Sequence, residues 1–298
     1  MRVAVTGASG FIGGHVTDRL ERAGHEVLAL GRAAGGATLV PTGRTVPPSA
    51  SNTNLTLEQH LEGTDAIVHL AARTQDSPAT PLSAYLGPNV VLTETLLEAA
   101  RAAGVGRFVL ASSRMVYPSW ISEPIPEDCP HPPDSFYGLS KRIAEDLLTL
   151  YTSKGAITGV SLRIGQVFGA GDRGRGVLPS FIEGDRRGVP PSIAGSGTAV
   201  RDFVDVRDVA AAFQLAVEMP TTAPAINIGS GRGYAIREMA EAAAIAGGMD
   251  VEAVTSTPIE IEDRSHYSLD CSLAKSELGW STERTLVESI RDRLAADV

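Results

Sequence analysis

Tyr137 and Lys141 stand four residues apart in Tyr137-Gly138-Leu139-Ser140-Lys141, so on a helix a phenol and an ammonium project from one face. A nearby ammonium favours the phenolate and moves the tyrosine pKa down, towards the range in which it exchanges protons with a substrate hydroxyl. That is the acid–base pair an alcohol–ketone interconversion requires. Ser113 ends an upstream strand pattern, where its hydroxyl could hydrogen-bond the reacting oxygen, and Ser112 could fill the same place. A second span, Thr6-Gly7-Ala8-Ser9-Gly10-Phe11-Ile12-Gly13, follows the run Val3-Ala4-Val5 at the start of the chain. Glycines at three-residue spacing let backbone pass close to a pyrophosphate, which the free N–H groups and positive end of a helix then hold. The expected ligand is a dinucleotide.

Periodicity gives the elements that must position these groups. The glycine span is the turn between a first strand and a helix from Phe11 to Ala23, and Glu26 to Leu30 is a second apolar run. Ala33 to Asn54, rich in Gly, Pro, Ser and Thr, reads as a long loop. Leu55 to Glu62 is a short helix, Asp65 to Ala72 a buried strand ending on small residues, and Leu82 to Ala103 a helix interrupted near Gly87-Pro88. Arg107 to Ser113 is the next strand, Ser135 to Lys154 the long amphipathic helix that carries Tyr137 and Lys141, and Thr158 to Arg163 a further strand. Strands alternating with helices predict an α/β fold with a doubly wound parallel sheet.

From Gly165 the pattern loosens into pieces punctuated by glycine and proline. Helices are expected at Leu178 to Arg187, Val206 to Glu218, Ile236 to Ala246 and Thr285 to Ala295, and a strand at Ala225 to Ile228 that returns to the main sheet. Residues 1–165, with a returning segment near 200–230, are expected to bind the dinucleotide, and residues 166–298 to form a smaller, interleaved α/β substrate lobe. A ligand at the carboxyl ends of the strands would lie between the two.

Bulk properties narrow the choice. At 298 residues and 43% hydrophobic composition the chain can bury a large core. Its formal net charge of -9 works against nonspecific nucleic-acid binding, and an anionic substrate would need a local basic pocket. Cys129 and Cys271 are the only cysteines, and the six histidines have no metal-like spacing. Neither a disulfide framework nor a metal site is expected, and a reducing cytoplasm is the expected location. The N-terminus enters the first strand without a signal-like segment, and no apolar run approaches membrane-spanning length, so no membrane association is expected.

The glycine motif, His69-Leu70-Ala71-Ala72, Asn89, Ser112-Ser113, Tyr137 with Lys141, Leu162-Arg163, Arg201-Asp202-Phe203-Val204, Asn227-Ile228-Gly229-Ser230-Gly231 and Glu277-Leu278-Gly279-Trp280 occur in that order. From Met1 to about Trp280 the chain thereby resembles the extended short-chain dehydrogenases/reductases, the NAD(P)-dependent nucleotide-sugar epimerase/dehydratase family. The resemblance implies a Rossmann fold, a nicotinamide cofactor and hydride transfer at a sugar carbon. It implies Tyr137 as general acid or base, Lys141 on the nicotinamide ribose and Ser113 orienting the substrate oxygen. Gly7, Gly10, Phe11, Ile12 and Gly13 would cradle the pyrophosphate, Leu70, Ala71, Ala72 and Ser112 line the cofactor, and Asn89 stand behind it. Arg201 would grip the substrate diphosphate, its alternative being an ion pair with Asp202 or Asp205. Gln166 would lie near the same diphosphate. Asp263 and Arg264 would be the remaining phosphate-side contacts, with Glu260 where the family often has arginine. A homodimer through the tyrosine helix is also implied, and Leu139, Ile143, Leu147 and Leu150 are apolar enough to form it.

Departures from the pattern carry their own expectations. The second strand ends Leu30-Gly31-Arg32, without the acid that commonly binds the adenosine ribose. Arg32 could pair with a 2′-phosphate, so the cofactor is NADP or NAD, with NADP slightly ahead. Arg114 and Met115 stand where sugar 4,6-dehydratases carry an Asp-Glu pair, which disfavours dehydration. Arg114 is expected to face solvent and Met115 to pack. A 4-epimerase and a 4-ketoreductase both remain open, the alternatives being a reductase of a non-nucleotide carbonyl compound and a non-catalytic dinucleotide sensor.

Overall fold

The computed structural model describes residues 1–32, 39–41, 55–74, 77–121, 124–155, 157–172, 176–263 and 265–295. Val3, Ala4 and Val5 are fully buried because their strand, β1 (Arg2–Thr6), runs through the middle of a sheet covered on both faces. Then come α1 (Phe11–Arg22), β2 (Glu26–Arg32), β3 (Leu39–Pro41), α2 (Leu57–Leu61) and β4 (Ala66–His69). β3 lies inside the expected loop: Leu39 and Val40 bury their side chains, and the segment pairs antiparallel with β2. The rest of that loop lies outside the described residues.

The helix expected from Leu82 is continuous in direction but changes register. α3 (Ser83–Tyr85) passes through a π-helical turn, Leu86–Val91, into α4 (Leu92–Ala103). The wider turn absorbs Pro88, which has no N–H to donate. β5 (Arg107–Ser113), β6 (Pro124–Ile125), α5 (Phe136–Ser153) and β7 (Thr158–Ile164) follow. The remainder comprises β8 (Gln166–Phe168), α6 (Val177–Arg186), β9 (Ser192–Ala194), β10 (Val200–Asp205), α7 (Val206–Glu218), β11 (Ala225–Ile228), β12 (Gly233–Ala235), α8 (Ile236–Ala246), β13 (Thr255–Thr257), β14 (Ser268–Leu269), α9 (Ser272–Leu278) and α10 (Leu286–Ala295).

The main sheet has the order β11-β7-β5-β4-β1-β2-β3 and is parallel except at β3. β11 is the expected returning strand. Alternate residues of β1 feed opposite layers: Val3 and Val5 pack with Val16, Leu20 and Phe213 from α1 and α7, while Ala4 packs with Leu96, Leu97 and Leu148 from α4 and α5. The chain runs outward from β1 to β2 on one side and returns through β4 on the other. That change of direction opens a crevice at the carboxyl ends of the strands.

A smaller sheet, β12-β10-β8, packs Phe168 and Phe203 against α6, α8 and α10 through Phe181, Met239 and Ile290. β8, β9, β12 and β13 have three residues each, too few for an alternating pattern to show in sequence. Both cysteines are free. Among the described residues no cluster could hold a metal ion, and no helix is long and apolar enough to cross a membrane.

Candidate active site

At the carboxyl ends of β1, β4 and β5 lies a cleft of ≈ 670 Å³, lined by Gly7, Gly10, Phe11, Ile12, Gly13, Leu70, Ala71, Ala72, Ser112, Ser113, Tyr137 and Lys141. Its floor is backbone brought into contact. Gly7 is left-handed, at φ +72°, and a Cβ there would meet the Ala71 nitrogen at 2.8 Å. A Cβ on Gly13 would lie 2.0 Å from the Gly7 carbonyl oxygen, so only glycine closes this turn against the helix. No side chain caps α1 at Gly10, and its first turn holds no acid. Its N–H groups are therefore available to an anion, and the cradle fits a dinucleotide pyrophosphate. Arg32 ends β2, but its side chain lies outside the described residues, as does Arg264.

Asn89 stands behind the cleft, in the π-helical turn. Its Oδ1 accepts from the Arg73 backbone N–H at 2.7 Å, and its Nδ2 donates to the Arg73 carbonyl and to Ser140 Oγ, each at 3.0 Å. Ser140 Oγ in turn donates to the Tyr137 carbonyl at 2.7 Å. Asn89 thus ties the segment after β4 to the tyrosine helix.

Tyr137 enters the cleft from the first turn of α5, which Ser135 caps by accepting the Gly138 N–H at 3.0 Å. A Cβ on Gly138 would lie 1.9 Å from the Met115 carbonyl oxygen, so this helix start packs directly on the turn that follows β5. The phenol and the Ser113 hydroxyl consequently line the same cleft, near enough for the hydroxyl to act on the phenol. The Tyr85 ring lies edge-on to it at 5.8 Å. Burial pushes the Tyr137 phenol up to about 12, against the opposing effect of Ser113. The expected lowering by Lys141 is therefore not what the structure shows: loss of water dominates, Tyr85 adds to the rise, and Lys141 is not among the groups that shift the phenol. Burial also pushes Lys141 down to about 8, with Glu145 working the other way. His69 is held at about 3, first by burial and then by the Lys141 charge. It is a neutral strut between Thr6 Oγ1 at 2.7 Å and Thr93 Oγ1 at 3.1 Å.

Glu145, one turn beyond Lys141, was not marked by any motif. It is buried, accepts from Ser112 Oγ at 2.5 Å, and pairs with Arg163 through Nη2 at 2.7 Å and Nε at 3.0 Å. Arg163 Nη1 donates to the Tyr117 hydroxyl at 2.8 Å and the Glu127 carbonyl at 2.7 Å, and Tyr117 donates to Asn227 Oδ1 at 2.7 Å. Every charge in this network is hydrogen-bonded, the condition under which a buried pair is tolerated. Ser112 therefore lines the cleft with its hydroxyl already engaged. The available signal was a carboxylate four residues past Lys141 on a buried helix stripe.

A neighbouring cleft of ≈ 410 Å³ holds Gln166, Arg201 and Asp263 beside the apolar side chains of Val177, Phe181, Ile236, Ile259 and Ile261. Arg201 pairs with Asp263 at 2.6 Å and donates to the Ser265 carbonyl at 3.1 Å. Asp202 and Asp205 are not its partners: Asp202 accepts from the Ser230 and Leu269 backbone N–H groups, and Asp205 pairs with Arg207. Tyr267 is buried beside Gln166, its hydroxyl donating to Gln166 Oε1 at 3.3 Å. Arg114 does not face open solvent as expected. Its guanidinium carbon lies 3.7 Å from the Tyr267 ring centroid, and burial pushes its pKa down. A flat π face is a favourable seat for a planar cation.

The family model for the NAD dependent epimerase/dehydratase family matches residues 3–229. The chain belongs to this family. This epimerase/dehydratase chain is 30% identical to the UDP-glucose 4-epimerase of Corynebacterium glutamicum, over 97% of its own length and 93% of the relative's. It is 32% identical to the dTDP-6-deoxy-L-talose 4-dehydrogenase (NAD(P)(+)) of Kitasatospora kifunensis, over 98% and 94%. The solved structure of MoeE5 in complex with UDP-glucuronic acid and NAD matches with a TM-score of 0.82 at 31% identity, covering 100% of this chain and 99% of that one. The fold is accordingly Rossmann-like, and the protein is an extended short-chain dehydrogenase/reductase, an NAD-dependent enzyme of the epimerase/dehydratase family.

Proposed function

We propose that this enzyme is a UDP-sugar 4-epimerase that inverts a sugar carbinol at C4. One observation carries the reading: Tyr137, Ser113 at the end of β5 and Lys141 line the same glycine-floored cleft. When bound there, the dinucleotide supplies a hydride acceptor and donor. Tyr137 takes the proton of the C4 hydroxyl and returns it to the carbonyl oxygen, while Ser113 holds that oxygen in place. A phenol at about 12 is protonated at neutral pH and ready to donate. To accept a proton it needs a cation, and Lys141, which lines the cleft and keeps its charge below about 8, is the group to provide it.

Gly7, Gly10, Phe11, Ile12 and Gly13 hold the pyrophosphate in this reading, Leu70, Ala71, Ala72 and Ser112 line the nicotinamide side, and Asn89 braces it. Arg201 and Gln166 take the sugar diphosphate, with Asp263 orienting Arg201. Residues 1–165 with the returning β11 serve the cofactor, and residues 166–298 the substrate. NAD is the proposed cofactor, since the neighbour described above carries it. The lead given to NADP rested on the missing acid after Leu30 and on Arg32, and tenfold tighter NADP binding in a titration would restore it. A homodimer is proposed through α5, where Phe136 is 52% and Leu150 49% exposed beside Val91 at 53%. Light scattering on Leu150→Lys should find a monomer. The cytoplasm is the proposed location, in keeping with two free cysteines.

A second reading, a dTDP-sugar 4-ketoreductase, is favoured by the 32% identical dehydrogenase. Proton NMR of UDP-glucose with a catalytic amount of NAD tests the first: the C4 epimer should accumulate without net NADH. Stoichiometric oxidation of a reduced dinucleotide, seen only with a 4-keto sugar, would favour the second. Absence of both reactions overturns both readings.

A further inference from the structure

We propose that Arg114 recognises an anionic group on the sugar itself, making a nucleotide-activated hexuronate a better substrate than the neutral hexose. The inference rests on the nucleotide-sugar reading above and deepens it. Arg114 directly follows Ser113, the residue whose hydroxyl acts on the reacting phenol, and heads the short turn Arg114–Val116. Its guanidinium lies on Tyr267, whose hydroxyl reaches Gln166, and Arg201 approaches the same ring at 5.4 Å. The cation thus lies one residue beyond Ser113 of the glycine-floored cleft and shares the Tyr267 ring with Arg201 of the neighbouring one, Gln166 of that cleft meeting the ring's hydroxyl.

A buried arginine, Arg163, and the half-buried Arg114 show what is missing. Arg163 is neutralised by Glu145 and further engaged by Tyr117 and the Glu127 carbonyl. Arg114 is half-buried on the Tyr267 ring, yet among the described residues no carboxylate forms an ion pair with it. Asp134 acts on it only at longer range, and that carboxylate accepts from the Ser119 backbone N–H at 2.7 Å and hydroxyl at 2.6 Å. Arg201, which has Asp263 for itself, adds like-charge repulsion. A partly desolvated cation beside another cation is unfavourable until an anion arrives. A hexuronate carboxylate offers two oxygens to the guanidinium fork, whereas a hydroxymethyl group leaves the charge uncompensated.

The test is calorimetry with NAD present on the Tyr137→Phe protein, which blocks turnover, using UDP-glucuronic acid, UDP-glucose and UDP as probes. A charge-assisted pair predicts UDP-glucuronic acid binding about 10- to 100-fold tighter than UDP-glucose. Adding Arg114→Gln should erase that difference while leaving UDP-glucose and UDP within about threefold, and Arg114→Lys should keep part of it. Equal affinities for the two sugars before Arg114 is changed would overturn the inference and leave the proposed function standing. So would a loss shared equally by UDP alone, which would make Arg114 a phosphate contact. If no UDP ligand binds, the proposed function falls and the inference with it. Should Arg114→Gln fail to fold, the first comparison and Arg114→Lys still decide.

Discussion

The two clefts are built by different means. The cofactor side is floored by backbone: Gly7 against Ala71 and Gly13 against Gly7, at separations no Cβ could tolerate. The substrate side is walled by long side chains from distant segments, with Arg201 on β10, Gln166 on β8, Asp263 and Tyr267 after β13, and Arg114 after β5. Backbone sites fix one ligand part closely and admit few substitutions. Side-chain sites can be rewritten residue by residue while the fold stays, which is how one scaffold comes to serve many substrates.

Tyr137→Phe should give the largest effect, because it removes the hydroxyl proposed to exchange the substrate's proton. A proton transfer of this kind contributes about 10²- to 10⁴-fold, so kcat should fall on the order of 1000-fold with KM and the circular dichroism spectrum little changed. A loss confined to KM would show that the phenol binds rather than transfers. Gly13→Ala should act next, and on the cofactor side alone. Its methyl group would meet the Gly7 carbonyl at 2.0 Å, and the forced backbone shift costs about 1–3 kcal/mol. NAD affinity should weaken by up to about 100-fold while UDP binds as before. Unchanged NAD binding would mean that the floor yields and the contrast is unsound.

The same contrast governs what could be read from the residues in order. Glycine spacing, strand periodicity and the Tyr137–Lys141 interval are local, so the parallel strands of the main sheet, their helices and the residues that line the glycine-floored cleft are legible in the sequence, while β3 is not. The π-helical turn at Pro88 was visible only as an interruption. The substrate side depends on contacts between residues far apart in the chain. Arg201 chose Asp263, 62 residues away, over the adjacent Asp202, and Arg114 chose the ring of Tyr267. Glu145 and Arg163 form a buried pair that neither helix nor strand periodicity separates from an exposed one.

Arg201→Ala probes the substrate side by itself. Its guanidinium is the proposed diphosphate contact, and a charge-assisted hydrogen bond is worth about 1.5–3 kcal/mol. UDP affinity should drop at least about tenfold, helped by the unpaired Asp263 left facing the phosphates, with NAD affinity unmoved. Coupled losses of both ligands would show that the clefts do not act independently.

The smallest effect concerns Lys141 and separates binding from stability on the cofactor side. Its folded pKa of about 8 lies below the ordinary lysine value of about 10.4. Between those values the unfolded chain binds more protons than the folded one, so this group makes stability rise with pH across that window. Below about pH 8 its full burial cost is present. Lys141→Met should accordingly raise the melting temperature of the ligand-free protein at pH 7 by about 3 °C and flatten the rise between pH 8 and 10, while depressing turnover. Glu145 stays neutralised by Arg163 in that variant, so no carboxylate is orphaned to offset the gain. A fall in melting temperature would mean that the ammonium is held by the fold rather than kept for a ligand, and the cofactor side would then be no more preorganised for function than the arginine-lined side is.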